Sequence, residues 1–413
     1  MLPIAYAHTQ RTALRIHHPS AHPMNRPPAI IIGLDSLPGI QAARILAAHD
    51  VPVMAIAARP AHYCCKTNVC QQILFADTQS SDFIQTLCAL GPTLPQKGVL
   101  IPCSDMSVWH VSIHRDLLRP YYHVLLPPHP TLAMLLDKVA FYTYAQQQAL
   151  PIAPTRFLHS RADAERAAAE MSFPCVLKPP KRTPAWTRQT HHKVYQVASA
   201  DQLLPLYDQC AQWTSPLILQ QWVAGPESNL YSCNCYFNAE GESLVDFTAR
   251  KLRQWPPGAG SSSLGEACIN DTVRNVALTL FRRVGYHGLG YMELKQDAIS
   301  GEYFIMEVNV GRPTVRSAIA EAGGVALHYA AYCSAIGAPL PPNLQQGGQP
   351  VKWVHLHYDA RSAFHYWRRG ELTLRDWLRS WRGIGGYAVW SRRDPAPFFC
   401  DIVTTIGRGI GKR

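Results

Sequence analysis

The stretch GEYFIMEVNVGRPTVRS, residues 301–317, sets an apolar run directly beside two polar side chains. Residues 303–306 have the composition of a buried strand, and Glu307 and Asn309 follow within the same segment. Side chains alternate along a strand, so Glu307 and Asn309 share one face while their apolar neighbours share the other. The stretch therefore predicts a strand that carries a carboxylate and a carboxamide side by side next to a core.

A second carboxylate lies nearby in the sequence. Glu293, in the segment YMELKQD, precedes Glu307 by fourteen residues, and a hairpin around Ser300 and Gly301 would bring the two together. Two like charges so placed repel each other, and burial raises the cost, unless a cation neutralises them. Hard oxygen ligands suit Mg²⁺, which commonly takes one or two carboxylates. The residues alone leave two interpretations open: a magnesium site, or two solvated carboxylates at strand ends.

The first part of the chain shows an alternating strand and helix pattern. From residue 29, AIIIGLDSLPGIQAARILAAHDVPVMAIAARP reads as strand, turn, helix and strand, and later apolar runs in GVLIPCSD and HVLLPP extend the same sheet. The turn lacks the GxGxxG pattern of dinucleotide-binding proteins. This pattern predicts an α/β unit built on parallel strands.

The following part of the chain changes character. LLDKVAFYTYAQQQALPIAPT reads as a helix that ends before prolines, and apolar runs with hairpin punctuation follow, as in NAEGE and KQDAISGE. A long amphipathic helix, NDTVRNVALTLFRRVGY, separates groups of these strands. This pattern predicts an α+β unit, followed from about residue 340 by a tail rich in arginine and tryptophan.

Composition limits the classes of partner. The 413 residues have a formal net charge of +11, which comes mostly from arginine, and this favours an anionic ligand or a membrane surface. Basic residues are spread along the chain, so no nucleic-acid partner is expected. The 12 cysteines are scattered among apolar neighbours, which is typical of a reduced, cytoplasmic chain. Residues 1–28 lack sustained periodicity and are predicted to form a disordered extension, with Met24 as an alternative start.

Four motifs follow one another along the chain: LLDK with Lys138, FPCVLKPP with Lys178, the segment LILQQWVAGPE, and the pair YMELKQD and FIMEVNVGRP. In this order they resemble the motifs of ATP-grasp enzymes of the carboxylate-amine ligase type, whose relatives include D-alanine–D-alanine ligase, carbamoyl-phosphate synthase and biotin carboxylase. Each alone is weak, because a lysine on an apolar strand is common. The resemblance covers roughly residues 29–333 and rests on the four motifs together.

The resemblance implies a nucleotide site. It implies that Lys138 and Lys178 hold ATP phosphates and that the segment Gln220, Gln221, Trp222, Val223 contacts the adenine, by backbone at Gln221 and Val223. Gln220 stands where the family commonly has an acid, which leaves its contact with the adenine amino group open. Glu227, at the end of this segment, is implied to hold the ribose hydroxyls. Lys193 lies outside these motifs and is not expected to matter for ATP.

The resemblance also assigns the metal and the catalytic cations. Glu293, Glu307 and Asn309 are implied to bind Mg²⁺, with Mn²⁺ as a second candidate. Arg250 is implied to contact the nucleotide, and Lys251 and Arg312 to stabilise the reacting oxygens, with Arg316 as a further candidate. After Lys178 the family commonly has a glycine-rich phosphate loop. This chain has PPKRTPAWTRQTHHK instead, and Lys181, Arg182 and Arg188 are candidates to replace that loop.

The implied architecture is α/β followed by α+β. We expect the disordered extension at 1–28, a Rossmann-like pre-ATP-grasp domain at 29–130, a two-part ATP-grasp domain at 131–337 and a C-terminal extension at 338–413. The tail has two open interpretations. It either contacts a membrane or polymer surface, or packs on the body with Trp377 and Trp381 in a core.

The implied reaction joins a carboxylate to an amine through an acyl phosphate, with release of ADP and phosphate. The expected substrates are small-molecule or peptide carboxylates and amines, and a homo-oligomer is an open alternative. A carboxylase or a carbamoyl-phosphate-synthase-like enzyme is an alternative function, and a non-catalytic nucleotide-binding protein is another.

Overall fold

The structure is a computed structural model that describes residues 26–258 and 260–410. Most of the predicted disordered extension lies outside these residues. The part that is described, residues 26–28, is held by hydrogen bonds: the Tyr332 hydroxyl donates to the Pro27 carbonyl at 2.6 Å, and the Arg26 guanidinium donates to the His49 carbonyl at 2.7 Å. No helix among the described residues is long and apolar enough to cross a bilayer.

The first unit is a parallel sheet with the strand order β3-β2-β1-β4-β5. Its elements are β1 (Ala29–Ile32), α1 (Leu37–Ala47), β2 (Val53–Ala57), β3 (Gln72–Phe75), α2 (Asp82–Leu90), β4 (Gly98–Pro102), α3 (Asp105–Ile113), α4 (Arg115–Leu118) and β5 (Tyr122–Val124). All four residues of β1 are fully buried, because helices cover both faces of this sheet. The turn after β1 needs Gly39, since a Cβ there would lie 2.3 Å from the Gly33 carbonyl oxygen.

The second unit is a small antiparallel sheet with the strand order β6-β9-β7-β8. Two helices lead into it, α5 (His129–Leu136) and α6 (Lys138–Gln147), and its own elements are β6 (Thr155–Leu158), α7 (Arg161–Glu170), β7 (Cys175–Lys178), α8 (Pro184–Gln189), β8 (Tyr195–Val197), α9 (Ala200–Ala211) and β9 (Leu217–Gln221). It has a separate hydrophobic core around the fully buried Trp186.

The third unit is a seven-stranded sheet with the order β14-β13-β10-β11-β12-β15-β16. Its elements are β10 (Leu230–Phe237), β11 (Ser243–Trp255), β12 (Ser261–Ala267), α10 (Asp271–Arg283), β13 (Gly288–Gln296), β14 (Tyr303–Val310), α11 (Ile319–Ala322), α12 (Leu327–Ala335), β15 (Lys352–Val354), α13 (Leu356–Arg368), α14 (Leu374–Ser380), β16 (Ile384–Tyr387) and α15 (Ala396–Ile410). One apolar cluster extends from Ile30 in the first sheet to Met292 in the third, so these two units share a core.

The C-terminal residues are built into this architecture. β15 pairs antiparallel with β12, and β16 pairs with β15, so residues 352–387 extend the sheet that also contains Glu293. Further along, the buried Asp394 carboxylate accepts hydrogen bonds from the Arg44 guanidinium at 2.8 Å and from the Asn68 backbone N–H at 3.1 Å. The end of the described chain is thereby fixed to the first unit. The mixed α/β fold predicted from the sequence is confirmed.

Candidate active site

A cavity of about 520 Å³ lies between the small sheet and the seven-stranded sheet. One wall comes from β7, β9 and the segment after β9, and the other from β11, β13 and β14. The predicted site residues that line it are Lys138, Lys178, Gln220, Gln221, Trp222, Val223, Lys251, Glu293, Glu307, Asn309 and Arg312. The structure therefore brings together residues that are up to 174 positions apart in the sequence.

Lys178 is held in a defined position on the small sheet. Its ammonium group donates to the Gln220 side-chain oxygen at 2.8 Å and to the Tyr142 hydroxyl at 3.2 Å. The Gln220 amide nitrogen donates in turn to the Thr155 hydroxyl at 2.9 Å, which fixes the orientation of this buried amide. Gln220 thus orients the lysine without the charge that an acid would bring.

The segment after β9 is anchored from several sides. The backbone N–H groups of Gln221 and Trp222 donate to the carbonyls of Pro154 and Pro174, each at 2.9 Å. The Lys295 ammonium donates to the Val223 carbonyl at 2.8 Å and lies 5.0 Å from the centre of the Trp222 ring. Burial lowers the pKa of Lys295, although Asp297 and Glu227 oppose this effect. The backbone of this segment and the Trp222 ring are therefore held in place at this edge of the cavity.

The two carboxylates of the predicted metal site meet across a hairpin. Glu293 and Glu307 are direct Cα partners in the antiparallel pairing of β13 and β14, so the predicted hairpin is confirmed. Glu307 is exposed to the cavity, whereas Glu293 is largely buried. Burial opposes ionisation of Glu293, but Lys251 at 3.3 Å and Arg316 at 3.5 Å outweigh it, so the pKa of this carboxyl lies below its usual range.

These residues fit a magnesium ion by their chemistry. The set offers two carboxylates and the Asn309 side-chain oxygen, and Mg²⁺ commonly takes one or two carboxylates and leaves other positions to water and phosphate. Within residues 26–258 and 260–410 no group of three or more His, Cys, Asp or Glu side chains could hold a metal by itself. A metal at Glu293 and Glu307 would thus depend on oxygens that a bound ligand brings. The Asn309 oxygen at present accepts a hydrogen bond from the Arg312 guanidinium.

A β-bulge shapes the wall opposite the nucleotide segment. The register between β11 and β12 shifts on both sides of Arg253, so Lys251 and Gln254 both line the cavity while Arg253 does not. The Lys251 ammonium donates to the Gln254 side-chain oxygen at 3.1 Å. A bulge changes the direction of side chains in this way, and bulges are common beside active sites.

Arg250 is a correction to the predicted site. It does not line the cavity, because neighbouring residues of a strand point to opposite faces and its neighbour Lys251 points inward. The Arg250 guanidinium pairs instead with Glu266 at 2.8 Å on the other face of the sheet.

Glu227 is also placed differently from the sequence prediction. Its carboxylate accepts hydrogen bonds from the backbone N–H groups of Gln254 at 3.1 Å and Gly258 at 3.0 Å, and it lies behind the cavity wall. In this structure Glu227 holds the turn that follows β11.

Arg316 lies deeper in the site than the sequence indicated. It is 2% exposed, and its guanidinium donates to the Tyr291 hydroxyl at 3.0 Å in addition to the contact with Glu293. Its stem fits against Gly265, where a Cβ would lie 2.8 Å from the Arg316 Cδ atom. The Nε and Nη1 atoms of Arg316 are buried without a hydrogen-bond partner in the described structure. Such donors are costly to leave unpaired, so they mark a place for an anionic ligand.

Two further cations line the cavity. Arg182 and Lys193 belong to the basic segment after β7, and both border the cavity, whereas Lys181 and Arg188 do not. Lys193 thus borders the cavity although it lies outside the motifs, and its expected lack of effect on ATP stays a prediction. The signal that could have found it is the position of this basic segment, which returns to the sheet immediately before β8.

Comparisons with known proteins agree with these motifs. A family model described as "Carbamoyl-phosphate synthase L chain, ATP binding domain" matches residues 259–343. Over 190 residues the chain is 25% identical to a D-alanine–D-alanine ligase of Ectopseudomonas mendocina (strain ymp), covering 43% of this chain and 56% of the relative. A D-aspartate ligase of Enterococcus faecium (strain Aus0004) is 22% identical over 246 residues, which are 55% and 57% of the two chains. The chain thus spans about half the length of these curated relatives.

Solved structures show the same fold. An ADP complex of N5-carboxyaminoimidazole ribonucleotide synthetase superimposes with a TM-score of 0.62 at 16% identity, covering 83% of this chain and 86% of that one. The biotin carboxylase domain of Hydrogenobacter thermophilus 2-oxoglutarate carboxylase, in complex with MgADP, ADP and bicarbonate, gives a TM-score of 0.61 at 13% identity, covering 79% and 74%. Family model, relatives and structures together confirm the resemblance to the ATP-grasp superfamily, whose fold this chain has.

Proposed function

We propose that this protein is an ATP-dependent ligase that joins a carboxylate to an amine through an acyl phosphate. The observation that carries the proposal is the direct pairing of Glu293 and Glu307 across one hairpin, in a cavity whose opposite wall holds Lys178. A candidate metal site and a candidate phosphate-binding lysine around one space support this proposal.

The nucleotide would lie along the small sheet. The backbone of Gln221 and Val223 would contact the adenine edge, and because Lys295 occupies the Val223 carbonyl, the Val223 backbone would contribute its N–H group. Trp222 would add apolar surface. Lys138 and Lys178 would hold the phosphates. Mg²⁺ or Mn²⁺ held by Glu293, Glu307 and Asn309 would neutralise charge that develops on the transferred phosphate.

The reacting carboxylate would lie against the seven-stranded sheet. Lys251 and Arg312 would bind its oxygens and those of the acyl phosphate, and Arg316 would add a third cation beneath them. A carboxylate oxygen attacks the terminal phosphorus, the bond to the bridging oxygen breaks, and ADP leaves. The amine nitrogen then attacks the acyl carbon, loses a proton and displaces phosphate. The product is an amide.

Glu227 would accept fewer hydrogen bonds from the ribose than the resemblance implies. Two of its acceptor positions are used by backbone N–H groups. A carboxylate has about four lone-pair positions, so a contact with the ribose hydroxyls would use those that remain.

A carboxylase or a carbamoyl-phosphate-synthase-like activity is a second candidate. The family model describes a carbamoyl-phosphate synthase domain, and one superimposed structure was solved with bicarbonate. In that case bicarbonate would take the place of the organic carboxylate at Lys251 and Arg312. A nucleotide-binding protein without catalytic activity is a third candidate, and no separate observation supports it.

The test is a screen for ADP release, followed by isotope transfer. Amino acids, among them D-alanine and D-aspartate as suggested by the names of the relatives, are paired with amines, and bicarbonate is tested in parallel. With a carboxylate labelled in its oxygens with ¹⁸O, the label should appear in the released phosphate. Label in AMP together with pyrophosphate would contradict the acyl-phosphate route. ADP release with bicarbonate alone would favour the second candidate.

A further inference from the structure

A fully buried carboxylate outside the cavity connects the C-terminal residues to the site. Asp359, in α13, has no exposed surface. Five hydrogen bonds of the described chain reach it: two from the Arg253 guanidinium at 2.8 Å each, one from the Ser263 hydroxyl at 3.3 Å, and those of the Trp377 and Trp381 indoles at 2.9 and 2.8 Å. A buried charge is tolerated when it is paired and fully hydrogen-bonded in this manner.

The partner of Asp359 lies at the centre of the bulge in β11. Without the register shifts, Lys251 and Arg253 would share one face of the strand and Gln254 would point to the other. With them, Lys251 and Gln254 face the cavity while Arg253 points to α13. The two-pronged contact with Asp359, together with a hydrogen bond from the Arg253 guanidinium to the Ser380 hydroxyl at 2.8 Å, holds Arg253 in this direction. Loss of the contact with Asp359 would weaken the restraint that keeps the bulge in its register.

We propose that Asp359 is a positioning residue of the nucleotide site, which acts through Arg253 to aim Lys251 and Gln254 into the cavity. Gln254 is 1% exposed, and its side-chain nitrogen has no partner in the described structure although it borders the cavity. Such an amide points to a polar ligand. The inference rests on the proposed function, since it assigns this wall to the phosphates and the reacting carboxylate.

The same helix supports the bulge from a second side. Tyr366, in α13, lies near the Glu227 carboxylate, which accepts a hydrogen bond from the backbone N–H of Gln254. The ring of Trp255 lies 5.3 Å from the Arg361 guanidinium and 6.4 Å from the His365 ring. Residues on three turns of α13 therefore contact the segment between Arg253 and Gly258. Trp377 and Trp381 contact the body of the protein through Asp359, but both side chains are half-buried and neither belongs to a core.

The test compares the binding of AMP with that of MgATP, which carries two more phosphates. In the proposed arrangement AMP would end close to the small sheet, whereas the terminal phosphates of MgATP would reach Lys251. In the full-length Asp359→Asn variant, MgATP binding measured by calorimetry should weaken about tenfold, the effect of one lost contact to a charged group. AMP affinity, measured by competition, should stay within about twofold. A structural defect alone would weaken both nucleotides equally or neither, so an unchanged ratio of the two affinities would overturn the proposal.

A second variant keeps the test valid if Asp359→Asn does not fold. The double substitution Trp377→Phe and Trp381→Phe removes two donors to Asp359 but keeps aromatic rings in place. It should also reduce the preference for MgATP over AMP, and the control Trp390→Phe, in the same segment, should not. Equal preference in the double variant and the control would overturn the proposal. If the wild-type protein binds neither nucleotide, the proposed function itself fails.

Discussion

The same substitution at the two paired carboxylates should change the stability of the protein at one position and leave it unchanged at the other. Glu293 is largely buried and has Lys251 at 3.3 Å and Arg316 at 3.5 Å. Glu293→Gln leaves these two buried cations without their carboxylate, and breaking such a pair costs about 3–5 kcal/mol. Glu307 is exposed, so the stability of Glu307→Gln should stay within about 0.5 kcal/mol of the wild type. Metal-dependent nucleotide binding should be lost in both variants.

The assay is urea unfolding in EDTA without nucleotide, monitored by tryptophan fluorescence. A chain of this size has a slope above about 3 kcal/mol per molar urea, so the loss of about 3 kcal/mol in Glu293→Gln should lower the midpoint by about 0.5–1 M. ADP binding is then titrated with and without Mg²⁺. Magnesium should tighten ADP binding to the wild type and should not tighten it to Glu307→Gln.

The ion pair also predicts a dependence on pH with a definite sign. The pKa of Glu293 is lowered in the folded protein, so its contribution is complete above the unfolded value of 4.5 and is lost as the pH falls through the folded pKa. The stability difference between wild type and Glu293→Gln should therefore shrink below about pH 4. A Glu293→Gln variant as stable as the wild type at pH 7, or a Glu307→Gln variant that is destabilised equally, would refute this description of the site.

Three more predictions concern single residues. Lys178→Ala should weaken MgATP binding about tenfold or more, because the lysine is fixed by hydrogen bonds at the cavity, whereas Lys181→Ala, outside the cavity, should not; equal titrations would contradict the placement of the phosphates. Burial lowers the pKa of His355 to about 4, so between pH 6.5 and 4 the unfolded chain binds a proton at this residue that the folded protein does not. The free energy of unfolding should therefore fall by about 3 kcal/mol between pH 6.5 and 4. The variant His355→Asn keeps a side chain that can cap α13, and its stability should depend less on pH between 6.5 and 4. Urea unfolding midpoints measured across this pH range check the prediction. Gly265→Ala should displace the Arg316 stem and lower the free energy of unfolding by about 1–3 kcal/mol, and unchanged stability would mean that the stem has room to move.

The parts of the site in which side chains alternate regularly along a strand could be predicted from the sequence. Glu293 and Glu307 were placed opposite each other because period-two alternation and the turn between them define a hairpin register. The same rule, applied to Arg250, would have placed it outside the cavity, since its neighbour Lys251 points inward.

Other parts depend on contacts that no local pattern contains. Gln254 faces the cavity only because a bulge shifts the register of β11, and the residue that holds this bulge, Asp359, lies 106 positions away from Arg253. Lys193 reaches the cavity through an irregular segment without periodicity. The strand β16 has the sequence IGGY, whose glycines argue against a strand, and it forms because β15 offers a free edge. Tertiary pairing decides these positions, and local propensity does not.

The contacts of Asp394 and Asp359 have a consequence for synthesis of the chain. Arg44 is paired with a residue 350 positions later, and Arg253 with one 106 positions later. While the chain emerges from the ribosome, Arg44 has no counter-ion for most of the time needed to make the protein, and Arg253 has none for a shorter period. Each would be buried unpaired if its unit closed early. We therefore expect the first and third units to acquire their final packing only after residue 394 has been released. Truncation before β15, at about residue 340, should consequently yield a chain that depends on chaperones even though every predicted motif is present.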